Sequence, residues 1–200
     1  MANKKEFILD TAEKLFVEQG FDQTSIAQIL DATQIARGTL YYYFTSKEEI
    51  MDAIIERWIS RAFEQMHTWV ERKELSILER LMGALAALNM KEEGQEILDH
   101  LHAPQNALLH EKTNQILLSK APEILSPLLQ EAIQAGEMQT AYPYESIEMM
   151  LTYSLQIFNT SFQTLNRQEQ EQKVQAFIYL LEKIFQTKEG YFSPLTQLIH

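Results

Sequence analysis

Arg37, Gly38, Thr39, Tyr41, Tyr42, Tyr43 and Lys47 lie in one short stretch, and their residue types suit contact with double-stranded DNA. An arginine fork can donate to O6 and N7 of one guanine, which is worth roughly 1–3 kcal/mol of discrimination against a wrong base. A threonine can donate to a base edge or meet a thymine methyl, and a glycine lets the backbone come close. Tyrosine hydroxyls and a lysine ammonium reach phosphate oxygens, which position a protein without reading sequence. Between Ala32 and Lys47 the only charged side chains are Arg37 and Lys47, although the whole chain of 200 residues carries a formal net charge of −11. The residue types leave two readings open: a helix that reads a groove, and a helix whose tyrosines are half-buried hydrophobes. Three consecutive helical positions fan over roughly 200° at about 100° each, so Tyr41, Tyr42 and Tyr43 cannot all face one surface.

The flanking pattern supplies elements that would hold such a helix. Phe7, Ile8, Ala12, Leu15 and Phe16 recur at helical spacing over about 3–19, and Gly20 follows as a stop. Ser25 with Gln28 has the spacing of a capping box and opens a second helix that buries Ile26, Ile29 and Leu30. The short helix starting near Ile35 runs to about Tyr43, with Leu40 and Phe44 packing inward. Ser46 with Glu49 predicts another capping box and the start of a long fourth helix with its stripe on Ile50, Ile54, Trp58 and Ala62. Two short helices joined by a tight turn over 24–44 have the spacing of a helix-turn-helix.

Further along, Ser76 with Glu79 predicts the cap of a helix carrying Ile77, Leu78, Leu81, Leu85 and Leu88. Helices are expected over about 92–102 and 105–119. Pro122 suits the first turn of the next, which ends at Gly136. Two more are expected over about 145–165 and 168–187. No repeat, low-complexity tract or alternating strand pattern stands out. The expected fold is all-α, with about nine helices: a helix-turn-helix domain over 1–48, joined by a long helix to an effector-binding and dimerisation domain over 49–200.

Composition excludes several function classes. There is no cysteine, so disulfides, thiolate metal sites and cysteine catalysis are out. The acidic balance argues against coating by nucleic acid and against an anionic membrane surface. No apolar run has transmembrane length, and a cytoplasmic protein is the expectation. Glu64-x-x-His67 is half of a di-iron bundle motif, but only Asp99-x-x-His102 comes near the second half. With no phosphate loop, nucleophile elbow or zincin motif, the chain reads as no enzyme, with no cofactor. Asp99, His100, His102 and His110 form the histidine-rich patch, in which solvated or capping roles outweigh metal ligation. A helical adaptor without DNA binding is the remaining alternative.

Residues 8–54 resemble the DNA-binding domain of the tetracycline-repressor (TetR) family of bacterial transcription regulators. The matching stretches are Ile8–Gly20, Thr24–Leu30 and Arg37–Ile50. The resemblance implies a homodimeric, usually repressing regulator with a C-terminal small-molecule site, dimerising through the helices at about 145–165 and 168–187. It places Thr24, Ser25, Arg37, Gly38, Thr39, Tyr41, Tyr42, Tyr43 and Lys47 at or near DNA. Two positions depart from the family: Gln34 stands where the turn usually has glycine, and Ala36 replaces a common serine. The first bears on how the third helix is aimed, the second on a hydroxyl cap and a phosphate contact.

The dimer helices have a broad apolar stripe of their own: Ile147, Met150, Leu151, Ser154, Ile157, Phe158, Ser161, Phe162 and Leu165. It reads either as a dimer face or as core. An effector pocket is expected among the helices of about 75–165, with Trp58, Phe63, Met66, Trp69, Met82, Met90, Asn106, His110, Tyr153 and Phe158 as candidate lining. Methionine-rich walls suit a hydrophobic, adaptable ligand. Asn106 and His110, four residues apart, can bond each other or line that pocket.

Overall fold

The structure is a computed structural model that describes residues 4–88, 100, 103, 106–158, 162 and 164–199. Among these residues every regular element is helical. In chain order they are α1 (Lys4–Gln19), α2 (Ile26–Thr33), α3 (Arg37–Tyr43), α4 (Lys47–Val70), α5 (Ile77–Ala86), α6 (Ala107–Gln134), α7 (Pro143–Ile157), α8 (Arg167–Ile184), a 3₁₀ turn at Ser193–Leu195 and α9 (Thr196–Ile199). None of the described helices is long and apolar enough to cross a membrane.

The chain divides into two compact units. The first contains residues 1–61 and 90–111, the second 62–89 and 112–200. The first unit therefore reaches beyond the expected limit at residue 48. The reason lies in α4, whose first turns bury Ile50, Met51, Ile54, Ile55 and Trp58 in the same core as Ile8, Ala12 and Phe16 of α1, Ile29 of α2 and Leu40 of α3. Polar contacts fasten α1 to α4 as well. The Arg57 guanidinium donates to Glu6 at 3.0 Å, to Asp10 at 2.7 Å and to Glu13, while the Trp58 indole donates to Glu13 at 2.6 Å.

In the second unit α6 differs from expectation. It is one helix through Pro122 and Pro127, where the sequence predicts a break. A proline inside a helix costs roughly 3 kcal/mol through a lost hydrogen bond and a clash. Burial of Ala121, Ile124, Leu125, Leu128, Leu129 and Ala132 along the same face offsets that. The buried Arg80 of α5, 1% exposed, ties the unit together: it donates to the Val70 carbonyl at the end of α4 and, through both terminal nitrogens, to Glu131 of α6. Lys73 adds a second cation on Glu131 at 2.9 Å, and the two hydrogen-bonded cations lower the Glu131 pKa to about 2. The tail is part of this core: Phe192 and Leu195 are buried, and α9 packs on α5.

Candidate DNA-binding site

Each part of the first unit's surface is aimed by a local device. The Ser25 hydroxyl accepts from the Gln28 amide and the Gln28 side chain accepts from the Ser25 amide, completing the expected capping box of α2. Gln34 closes α2 in the left-handed region at φ 54°, ψ 25°. Its amide donates to Leu30 at 2.9 Å and its side-chain amide donates to the Asp31 carbonyl at 2.6 Å. These two bonds hold a conformation that costs a non-glycine residue roughly 1–2 kcal/mol. Ala36 follows as the cap of α3 and, having no hydroxyl, makes no side-chain cap bond.

The next cap is shared differently from its expected pattern. The Ser46 hydroxyl accepts from the Glu49 amide at 3.1 Å, but the Glu49 carboxylate turns to the amide and hydroxyl of Thr45, at 2.6 and 2.8 Å. Those two bonds, the backbone one first, depress the Glu49 pKa.

The third helix sorts its residues by exposure. Leu40 and the following Phe44 are buried; Arg37 and Gly38 are exposed, Thr39 and Tyr43 half-buried. Tyr42 is 82% exposed and Tyr41 40%. The Arg37 guanidinium lies 5.4 Å from the centre of the Tyr41 ring one turn away, and Tyr43 packs edge-on against Tyr42. An added Cβ at Gly38 meets nothing within 4 Å, so the backbone is open to close approach. Within α3 the exposed residues of the nominated set are thus Arg37, Gly38, Tyr41 and Tyr42; Ser25 at the start of α2 is exposed as well.

Two nominated residues sit elsewhere. Thr24 is buried at 2% exposure, with its hydroxyl donating to Gly20 at 2.8 Å and accepting from the Gln19 side chain at 3.0 Å. It braces the corner between α1 and α2, and its hydroxyl is engaged within the chain. Lys47 is half-buried: its ammonium donates to the Phe21 carbonyl at 2.7 Å and lies 4.1 Å from the centre of the Phe21 ring. On the Phe21 ring also rests His100, with ring centres 4.1 Å apart. Nothing in the spacing of the sequence indicates that residue 100 belongs with this unit.

The nominated effector residues are divided between the two units. Trp58, Asn106 and His110 belong to the first unit, Phe63, Met66, Met82, Tyr153 and Phe158 to the second. Trp58 donates to Glu13, and Asn106 donates to the His100 carbonyl at 2.7 Å. Met66 is fully buried, Phe63 lies under the Lys120 ammonium, and half-buried Trp69 sits under Arg72. Tyr153 stacks on Phe177, while Phe158 meets Phe162 and Phe177 edge-on. Met90 lies outside the described residues, as do Asp99, His102 and Ser161. The second unit instead holds a small cavity of about 20 Å³ with an apolar lining from Ile77, Leu81, Leu125, Met138, Met150, Phe192 and neighbours. None of the nominated residues lines it, whereas Tyr153 lines a larger open groove of about 490 Å³ with Glu145, Met149 and Ile157. Among the described residues no group of three or more histidine, aspartate or glutamate side chains is placed to hold a metal ion.

The first unit is a helix-turn-helix DNA-binding domain. Residues 8–54 match the family model described as bacterial regulatory proteins, tetR family. Over this stretch the chain resembles the DNA-binding domain of that family. It is 28% identical over 162 residues to the fatty acid metabolism regulator protein of Bacillus subtilis (strain 168), covering 79% of each chain. With the transcriptional repressor KstR2 of Mycobacterium tuberculosis it shares 31% identity over 96 residues, which span 48% of this chain and 44% of that protein. The fold resembles that of a TetR-family regulator from Pectobacterium atrosepticum, with a TM-score of 0.66, 21% identity and coverage of 91% and 94%. These relatives are regulators, and no enzyme chemistry follows from the site.

Proposed function

We propose that the chain is a homodimeric repressor that binds a near-palindromic operator and is released by a small-molecule effector. The observation that carries the DNA half of this reading is the exposed, acid-free surface of α3, with Arg37 stacked beside Tyr41 and an open backbone at Gly38. Arg37 reads a guanine; Thr39 sits beside it on the half-buried flank; Tyr41, Tyr42 and the capped starts of α2 and α4 at Ser25 and Ser46 meet phosphates. Lys47 needs only a rotation of its side chain to do the same. Such a regulator works in the cytoplasm, where the chromosome is.

Homodimerisation through α7 and α8 fits their surfaces, but on a different face from the apolar stripe of the sequence. Ile147, Met150, Leu151 and Phe162 are buried in the monomer's own core. Tyr144, Met149, Tyr179 and Leu180 remain exposed and supply the unpartnered apolar area that a second copy would cover. A dimer places two recognition helices about 34–36 Å apart, one turn of DNA. Met149→Glu combined with Leu180→Glu is expected to give a monomer by sedimentation, with helix content retained; a dimer that survived both charges would exclude this face.

The effector is expected in the second unit, where the enclosed apolar space of about 20 Å³ would have to widen to admit it. Its binding acts through α4, whose uninterrupted helix has residues in both units. Release requires that effector bind the two states of the dimer unequally. The similarity to a fatty acid metabolism regulator makes promoters of fatty-acid genes the first to test beside the gene's own upstream region. Footprinting is expected to reveal a symmetric protected segment that Arg37→Ala abolishes. An asymmetric single half-site, or protection that survives Arg37→Ala, would overturn the reading.

A further inference from the structure

The corner between α1 and α2 is held from outside by a residue remote in sequence. Phe21 meets Phe16 edge-on at 5.1 Å, carries the Lys47 ammonium at 4.1 Å and is covered by the His100 ring at 4.1 Å. Its carbonyl takes the Lys47 ammonium at 2.7 Å. The backbone beside His100 is fixed in turn, because the Asn106 side chain donates to the His100 carbonyl and the Ala103 amide also bonds it, at 2.7 and 3.2 Å. One ring from beyond α5 therefore backs the residue that holds the Lys47 ammonium.

We propose that His100 is a positioning residue for DNA binding: its ring fixes Phe21, and Phe21 holds Lys47 ready for a backbone phosphate. This rests on the reading of α3 and the start of α4 as the DNA surface. Loss of the ring leaves Phe21 partly uncovered and Lys47 on a mobile corner, without removing any buried core residue of the helix-turn-helix.

The same contact makes the arrangement sensitive to acid. Burial is the main cause that holds the His100 pKa below its ordinary value, and Lys47 acts in the same direction; Asp22, Asp52 and Glu48 oppose it. The docked ring thus favours the neutral imidazole, so docking is complete above the ordinary histidine pKa of about 6.5 and weakens as pH falls below it.

The experiment uses the full-length protein and a duplex carrying the upstream segment protected in footprinting. His100→Ala is expected to weaken binding about three- to tenfold, the size of one aromatic contact. The slope of log affinity against log salt should also fall by about one, the share of a single phosphate. His100→Phe, which keeps a ring and removes the titration, is expected to restore both and to flatten the loss of affinity as pH falls below about 6.5 relative to the natural protein. The melting temperatures of both variants should stay close to that of the natural chain. Unchanged affinity and salt slope in His100→Ala would overturn the proposal, as would a loss that His100→Phe shares. The regulator reading has its own separate test, since it stands or falls with Arg37→Ala.

Discussion

Arg37 in the first unit and Arg80 in the second are the same residue type in opposite settings. Arg37 is exposed at the start of α3, with a tyrosine ring beside it and no ion pair to a carboxylate among the described residues. Arg80 is 1% exposed and spends its donors on a helix-end carbonyl and a carboxylate. The first side chain is open to a partner outside the chain; the second has four of its five N–H donors bonded within it. In the first unit the proposed function draws on what folding leaves unsatisfied, and in the second unit stability draws on what folding satisfies. A side chain's accessible unmet capacity, not its type, separates a reader of DNA from a structural clamp.

The sharpest way to break that contrast is to remove the clamp. Arg80→Ala is expected to lower unfolding free energy by about 2–4 kcal/mol in chemical denaturation, because it leaves the Val70 carbonyl without a partner and empties a well-packed site. The loss stays below that of a fully buried ion pair since the Glu131 side chain keeps 40% exposure. The clamp also has a pH signature. Glu131 has a folded pKa of about 2, below the ordinary carboxylate value, so its contribution is present above about pH 4.5 and is lost as pH falls toward 2. Glu131→Gln should flatten that acid limb. An acid limb of the same steepness in Glu131→Gln would place the titration elsewhere.

On the DNA side the corresponding change is small in atoms and specific in effect. Arg37→Lys keeps the charge and loses the fork. Operator affinity is expected to fall about tenfold, within the range of one bidentate base contact, while binding to unrelated duplex hardly changes. Equal losses on both duplexes would make Arg37 a phosphate contact and remove the parallel with base reading.

How legible each unit was follows from the range of its determining contacts. The cap at Ser25 with Gln28 and that at Ser76 with Glu79 act over three residues, and both form as the spacing predicts. The exposed face of α3 follows from the inward turn of Leu40 and Phe44, which the local pattern also gives. The rest depends on partners distant in sequence. Thr24 has a DNA-compatible hydroxyl, yet bonds within the α1–α2 corner consume it. Pro122 reads as a helix start because local propensity disfavours proline inside a helix, and only burial along α6 overrides it. The capping box of Asn166 with Glu169 was open to the same three-residue reasoning and was missed. The stripe at Ile147, Met150 and Leu151 is apolar in either role, and sequence has no term that separates core from dimer face.

Gly83 tests the packing of the second unit at intermediate size. A Cβ added there would come within 2.2 Å of the Trp69 ring. Alanine ordinarily gains up to about 1 kcal/mol over glycine inside a helix. Displacing an indole from its site costs about 1–3 kcal/mol, so Gly83→Ala is expected to be net destabilising by about 1 kcal/mol. Thermal unfolding with Trp69 fluorescence would follow both terms. A stabilised Gly83→Ala would mean that the ring moves aside freely and that this contact does not order the region.

Gln34 lies at the small end, where the two sides of the comparison meet in one residue. Its left-handed backbone costs roughly 1–2 kcal/mol in a non-glycine residue, and glycine would remove that cost. Glycine would also lose the side-chain bond to Asp31, worth about 1 kcal/mol, and would loosen the unfolded chain by about 0.4–1 kcal/mol. The contributions nearly cancel, so Gln34→Gly is expected to change stability by less than about 0.5 kcal/mol. Gln34→Val has the same backbone problem, a β-branch that worsens it and no amide to bond Asp31, and should cost about 2 kcal/mol. If Gln34→Gly left both stability and operator affinity unchanged, the aim of α3 would come from the turn's backbone geometry, with glutamine and glycine as two routes to it. A loss of affinity at unchanged stability would instead mean that the Gln34 side chain itself orients the helix, making this departure from the family pattern part of how α3 is aimed.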